Sequence, residues 1–147
     1  MILTRSSASK AKELVALRVT AVAKVNQKIG NTRLKFITDL PGQEQTYGEK
    51  EREAIHYVST NPDPNFPGLI SEAIYPFIYE ECMSVGYTPW EAAQLFLNMA
   101  AQWRPLGAKL EGLRVGYNNL VGLEETAEGI EQNLADLTSI LETYYGA

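Results

Sequence analysis

Apolar residues recur along this chain at helical spacing, in blocks separated by proline- and glycine-bearing breaks. In the first block, Val15, Val22, Ile29 and Phe36 repeat every seven residues, and Leu14, Leu17, Val25 and Leu40 widen the stripe. A sustained seven-residue repeat predicts one long helix over 7–40 with a coiled-coil-like seam. Serines at 6, 7 and 9 can cap it. Gly30-Asn31 predicts a bend or break, and Pro41-Gly42 ends the element. A second helix is expected over 46–59, with Tyr47, Ala54, Tyr57 and Val58 on one face. The short Pro-Gly link implies that it runs antiparallel to the first.

Residues 60–68 hold three prolines, which exclude a regular helix, and Phe66 is expected to anchor this loop. A shorter helical region follows over 69–85, its regular part beginning near Pro76 and ending at Gly86. Thr88, Pro89 and Glu91 then form a capping box. The helix behind it carries Ala92, Leu95, Phe96, Met99, Ala100, Trp103, Leu106, Leu110 and Leu113. Pro105 predicts a kink or break within it, and the pattern resumes through Tyr117 and Leu120 to stop near Gly122. A last helix is expected over 124–144, with Ile130, Leu134, Leu137, Ile140, Leu141 and Tyr144 in a narrow stripe. These elements make an all-α protein, a bundle of about five helices with long first and fourth members. We read it as one helical domain: a basic N-terminal helix (1–41), a central core (42–122) and an acidic C-terminal helix (123–147).

Charge divides the chain unevenly. Residues 1–35 hold eight Lys or Arg and one acid, a net of +7, whereas the other 112 residues hold five bases and 17 acids, a net of −12. Residues 115–147 contain six acids and no base. The basic helix therefore calls for an acidic counterpart, in this chain or in a partner. Lys10, Arg18, Lys24 and Lys28 are the candidate charge-complementary surface. A nucleic-acid-binding regulator using residues 5–35 is the competing reading. The absence of interleaved aromatics in that helix and the overall charge of −5 argue against it.

Candidate chemistry changes the picture little. The chain lacks a phosphate-binding loop, a dinucleotide turn, a zinc-binding helix and a nucleophile elbow. The lone Cys82 has no second cysteine to pair with, and it reads as a small apolar residue. His56 lacks an oriented partner set in the sequence, and the neighbouring carboxylates Glu80 and Glu81 point to different faces of a helix. We expect no catalytic, metal-binding or cofactor-binding residues, and no enzyme. No apolar run reaches 18 residues, so we expect no membrane span, and folding in a cytosol is the expectation from the N-terminus. Candidate partner-binding residues are the heptad positions Val15, Val22, Ile29 and Phe36 together with the aromatic anchors Trp90, Tyr144 and Tyr145.

Several features occur in a familiar order. Tyr47-x-x-Lys50-x-x-Glu53-Ala54 is followed by the proline-bearing loop, Tyr75-Pro76-Phe77, Gly86-Tyr87-Thr88 and Trp90-Glu91-Ala92-Ala93. Ala100-Ala101-Gln102-Trp103 and Leu110-Glu111-Gly112-Leu113-Arg114 complete the series. Over roughly residues 10–125 this resembles a small helical domain of tailed-bacteriophage proteins encoded among tail-fibre and baseplate genes, some of them tail-fibre assembly proteins. The resemblance implies a structural protein of the virion tail, made in the host cytoplasm and partnered by a fibre or baseplate protein in a homo- or hetero-oligomer. A tail-fibre assembly chaperone absent from the mature particle is the alternative within that family. The family brings no catalytic residues.

Overall fold

The computed structural model describes residues 6–36, 43–65 and 70–146. Among them the chain forms five α-helices and no strand: α1 Ser7–Arg33, α2 Gln43–Thr60, α3 Pro76–Val85, α4 Pro89–Leu123 and α5 Ala127–Tyr145. It divides into two compact units, one of residues 1–37 and 107–147, the other of residues 38–106. The expected Pro41-Gly42 stop, Leu40 and the Phe66 anchor lie outside the described residues.

The first unit contains α1, α5 and the C-terminal part of α4. Ser6 caps α1 by accepting the Ser9 N–H at 3.1 Å, satisfying one of the donors a helix start leaves open. Ala21, Val25, Ile29 and Thr32 are the buried positions of α1. Their spacing is that of a straight 3.6-residue helix and not of a seven-residue seam. Leu110 and Val121 of α4 and Ile130, Leu137 and Leu141 of α5 supply the rest of the core. The Thr32 hydroxyl is buried without penalty, because it donates to the Lys28 carbonyl at 2.9 Å.

Polar contacts give the directions of these helices. The Arg18 guanidinium donates from Nε and Nη2 to the Glu124 carbonyl just before α5, at 2.8 and 2.5 Å. Lys35 Nζ donates to the Gly146 carbonyl just after α5, at 2.8 Å. Hence α1 and α5 run parallel, and they pack on one another. In α4 the order is reversed: Arg33 pairs with Glu111 at 3.1 Å, while Asn26 Oδ1 accepts from Arg114 and Asn118 at 3.5 and 3.0 Å. Glu111, held by both Arg114 and Arg33, has its carboxyl lowered to about 2, with the Arg114 hydrogen bond the largest cause.

Neither Gly30 nor Pro105 breaks its helix. Helix α1 passes through Gly30 unbroken to Arg33, where bonds from Lys35 N–H to Thr32 O and from Phe36 N–H to Arg33 O close a tight turn. Burial of Ile29 and Thr32 on either side of the glycine offsets its poor propensity. A Cβ at Gly30 would meet nothing within 4 Å. Gly30→Ala is therefore expected to raise stability by about 0.5–1 kcal/mol. Urea unfolding checks this, and a loss of stability would contradict the open space seen there. Helix α4 likewise continues through Pro105. The missing proline N–H deprives the Ala101 carbonyl of a partner, but both residues are exposed, so water can replace the bond.

In the second unit α2 packs on α3, and the core joins Ala54 and Tyr57 of α2, Tyr75 and Ile78 at α3, and Ala92, Ala93 and Phe96 of α4. The Tyr57 and Tyr75 rings meet edge to face, 5.3 Å between centroids. Lys50 Nζ stands 4.8 Å from the Phe96 ring centroid and 3.9 Å from Glu81. The capping box forms as its spacing predicts. Glu91 N–H donates to Thr88 Oγ1 at 3.2 Å, and Thr88 N–H donates to Glu91 Oε2 at 3.4 Å. Gly86 ends α3 with φ +89°, a conformation costly for any residue with a Cβ. Before α3, residues 61–63 are irregular and 64–65 turn. The regular helix starts at Pro76, as expected, and residues 70–75 before it are turn and irregular chain.

Candidate interaction surface

The heptad positions separate in the folded chain. Ile29 is 1% exposed and belongs to the core of the first unit, so it is not available to a partner. Val22 is half-buried. Val15 and Phe36 stand 57% and 47% exposed. Val19, which the repeat did not single out, is more exposed than either. Of the aromatic candidates, Tyr144 is 74% exposed, whereas Tyr145 is half-buried. Trp90 is half-buried and packs against the core of the second unit.

The charged candidates separate too. Arg18 uses both arms of its fork on the Glu124 carbonyl and is a tie within the first unit rather than a free surface charge. Arg33 and Lys35 are also engaged inside that unit, by Glu111 and the Gly146 carbonyl. Lys10 is exposed near the start of α1. Lys24 and Lys28 come together on one wall of an open groove of about 560 Å³ between α1 and α5. Gln27 and Asn31 share the α1 wall, and Leu134, Ala135 and Thr138 line the α5 side. Sequence reasoning missed Gln27, Asn31, Ala135 and Thr138. The paired four-residue spacings Lys24/Lys28 and Gln27/Asn31 marked the first wall, because such positions share a helix face. The second wall could be found only by knowing which helix lies beside α1.

His56 Nδ1 is 2.8 Å from the Tyr75 hydroxyl, and the two rings are tilted against each other. Glu81 faces Lys50, and Glu80 is exposed. Burial pushes the Cys82 thiol above its usual value, and the neighbouring Glu81 and Glu91 charges add to this, so it stays protonated and poorly nucleophilic at neutral pH. Among the described residues no group of three His, Cys, Asp or Glu side chains could hold a metal ion, and no helix is long and apolar enough to cross a membrane. No family model, curated protein or solved structure matches this chain.

Proposed function

We propose that this protein is a structural component of a bacteriophage tail that joins baseplate and tail fibres through helix–helix contacts. The order of Tyr47, Lys50, Glu53, Tyr75-Pro76-Phe77 and Trp90-Glu91-Ala92-Ala93 supports the tail assignment through its resemblance to the phage domain. The observation that carries the interaction reading is the apolar surface left over once the core of the first unit is complete. Val15 and Val19 of α1, Val115 and Leu123 of α4 and Tyr144 of α5 are each more than half exposed. Covering such groups on a partner removes apolar area from water at about 25 cal/mol per Å², and an exposed tyrosine is a favoured anchor because it adds area at little entropic cost. The nucleic-acid reading loses support, since Arg18, Arg33 and Lys35 are engaged within the first unit.

Mass spectrometry of purified virions, with light-scattering mass of the protein mixed with a tail-fibre protein of the same particle, tests this. The expected result is the protein in the particle and a stoichiometric complex in solution. A complex without incorporation would replace the connector by an assembly chaperone. A protein that neither enters the particle nor binds the fibre would remove the tail reading.

A further inference from the structure

The groove between α1 and α5 has a basic α1 wall, whereas the α5 residues that line it, Leu134, Ala135 and Thr138, are uncharged. Lys24 and Lys28 line the α1 wall, and Leu17 and Lys10 continue the same stripe at seven-residue steps, both exposed. On α5, Ala135 and Thr138 line the groove. Glu131 and Glu142 lie four residues before and after them on the same stripe, and both are exposed. None of Lys24, Lys28, Glu131 and Glu142 joins the ion pairs among the described residues. Lys24 and Lys28 thus stand on the α1 wall, Leu134 and Ala135 line the α5 side, and the exposed Glu131 and Glu142 belong by helix period to the α5 face that flanks this lining.

We propose that this groove seats an amphipathic helix of a partner protein, with carboxylates along one edge against Lys24 and Lys28 and bases along the other against Glu131 and Glu142. The spacing supports a helix. Lys24 and Lys28 are one turn apart, about 6 Å along the axis, which is the repeat of carboxylates placed at i and i+4 on a facing helix. The apolar strip of that helix lies over Leu134 and Ala135. A nucleic acid fits less well, because its phosphates would approach Glu131 and Glu142. Charge on the two edges also fixes the direction of the bound helix, since turning it end for end would place like charges together. This proposal rests on the reading of the chain as an interaction protein, but not on a phage tail as its location.

The probe is a fluorescent synthetic helix of about 20 residues, with Glu at i and i+4 on one edge, Leu along the middle and Lys on the opposite edge. Binding to the full chain is followed by anisotropy at low salt. Saturable binding is expected, weakening with salt and falling about tenfold or more in the Lys24→Glu/Lys28→Glu variant. A second peptide with its acidic edge changed to Lys should bind that variant better than the unmodified chain. This rescue shows that the variant is folded. Failure of the first peptide to bind, equal binding by the variant, or amide shifts in NMR spectra confined to residues away from the groove would overturn the proposal. Loss of the groove with a fibre complex intact would leave the tail reading standing, and peptide binding by a protein that neither enters the particle nor binds the fibre would remove the tail reading alone.

Discussion

Replacing Leu137 with alanine is expected to lower stability by about 3 kcal/mol. The side chain is fully buried on α5, the helix that packs on α1. Its neighbours one turn along the stripe behave differently: Leu141 is also buried, but Leu134 is only half-buried at the groove. Truncating Leu137 removes the transfer free energy of three carbons and leaves a void that helices fixed at both ends close poorly. Those ends are fixed by the Arg18–Glu124 and Lys35–Gly146 contacts. Leu134→Ala opens toward solvent and should cost about 1 kcal/mol, because little cavity forms. Urea unfolding followed by circular dichroism compares the two. A Leu137→Ala loss no larger than that of Leu134→Ala would show that the core of this unit is not packed as described.

The helices were legible where local chemistry decides them. Thr88, Pro89 and Glu91 mark the start of α4 by a capping box that forms as spaced. Gly86 marks the end of α3, since only glycine takes its φ of +89° cheaply. The buried stripe of α5, Ile130, Leu137 and Leu141, falls among the positions that its period selects.

The first helix was misread in one respect, and geometry explains it. An unsupercoiled helix turns a strict seven-residue repeat by about 20° per heptad. With Ile29 in the core, Val22 drifts to the flank and Val15 out to solvent, while Phe36 lies beyond the last helical residue. Ala21, one of the true core positions, escapes notice because alanine carries little apolar signal. The sequence groups Lys10, Arg18, Lys24 and Lys28 as one charge-complementary surface, yet the fold divides the basic residues of this helix. Arg18, Arg33 and Lys35 tie the first unit together, and Lys24 and Lys28 are left facing the groove. That division depends on which backbone carbonyls and carboxylates come within reach, which is tertiary information.

Replacing Glu53 with alanine is expected to cost about 2 kcal/mol, although no capping role for this residue is legible in the sequence. In the fold its carboxylate leaves α2 and caps α3. Oε2 accepts the Phe77 N–H at 3.1 Å and Oε1 accepts the Ile78 N–H at 2.7 Å. The helix needs this outside acceptor, because Tyr75 at its N-cap makes no side-chain capping bond. A negative group there also meets the positive end of the helix dipole. Glu53→Gln keeps one carbonyl acceptor but turns an amide donor toward the other N–H, so its loss should lie below that of alanine. The ionisation of Glu53 gives a second readout. Burial raises its pKa above the ordinary 4.5, Glu49 adds to this, and the two backbone bonds only partly offset them. A folded value above the unfolded one means that the native state binds the proton more tightly. The resulting stability is present below 4.5 and is lost as pH rises through the folded value. Glu111, lowered to about 2, acts in the opposite sense, since its contribution is present above 4.5 and is lost as pH falls toward 2. Glu53→Gln should therefore abolish the decline just above 4.5 while leaving the acid limb in place. Unfolding free energies across this range, with amide exchange at Phe77 and Ile78, measure both effects. Exchange at these amides unchanged in Glu53→Ala would show that the carboxylate does not cap α3.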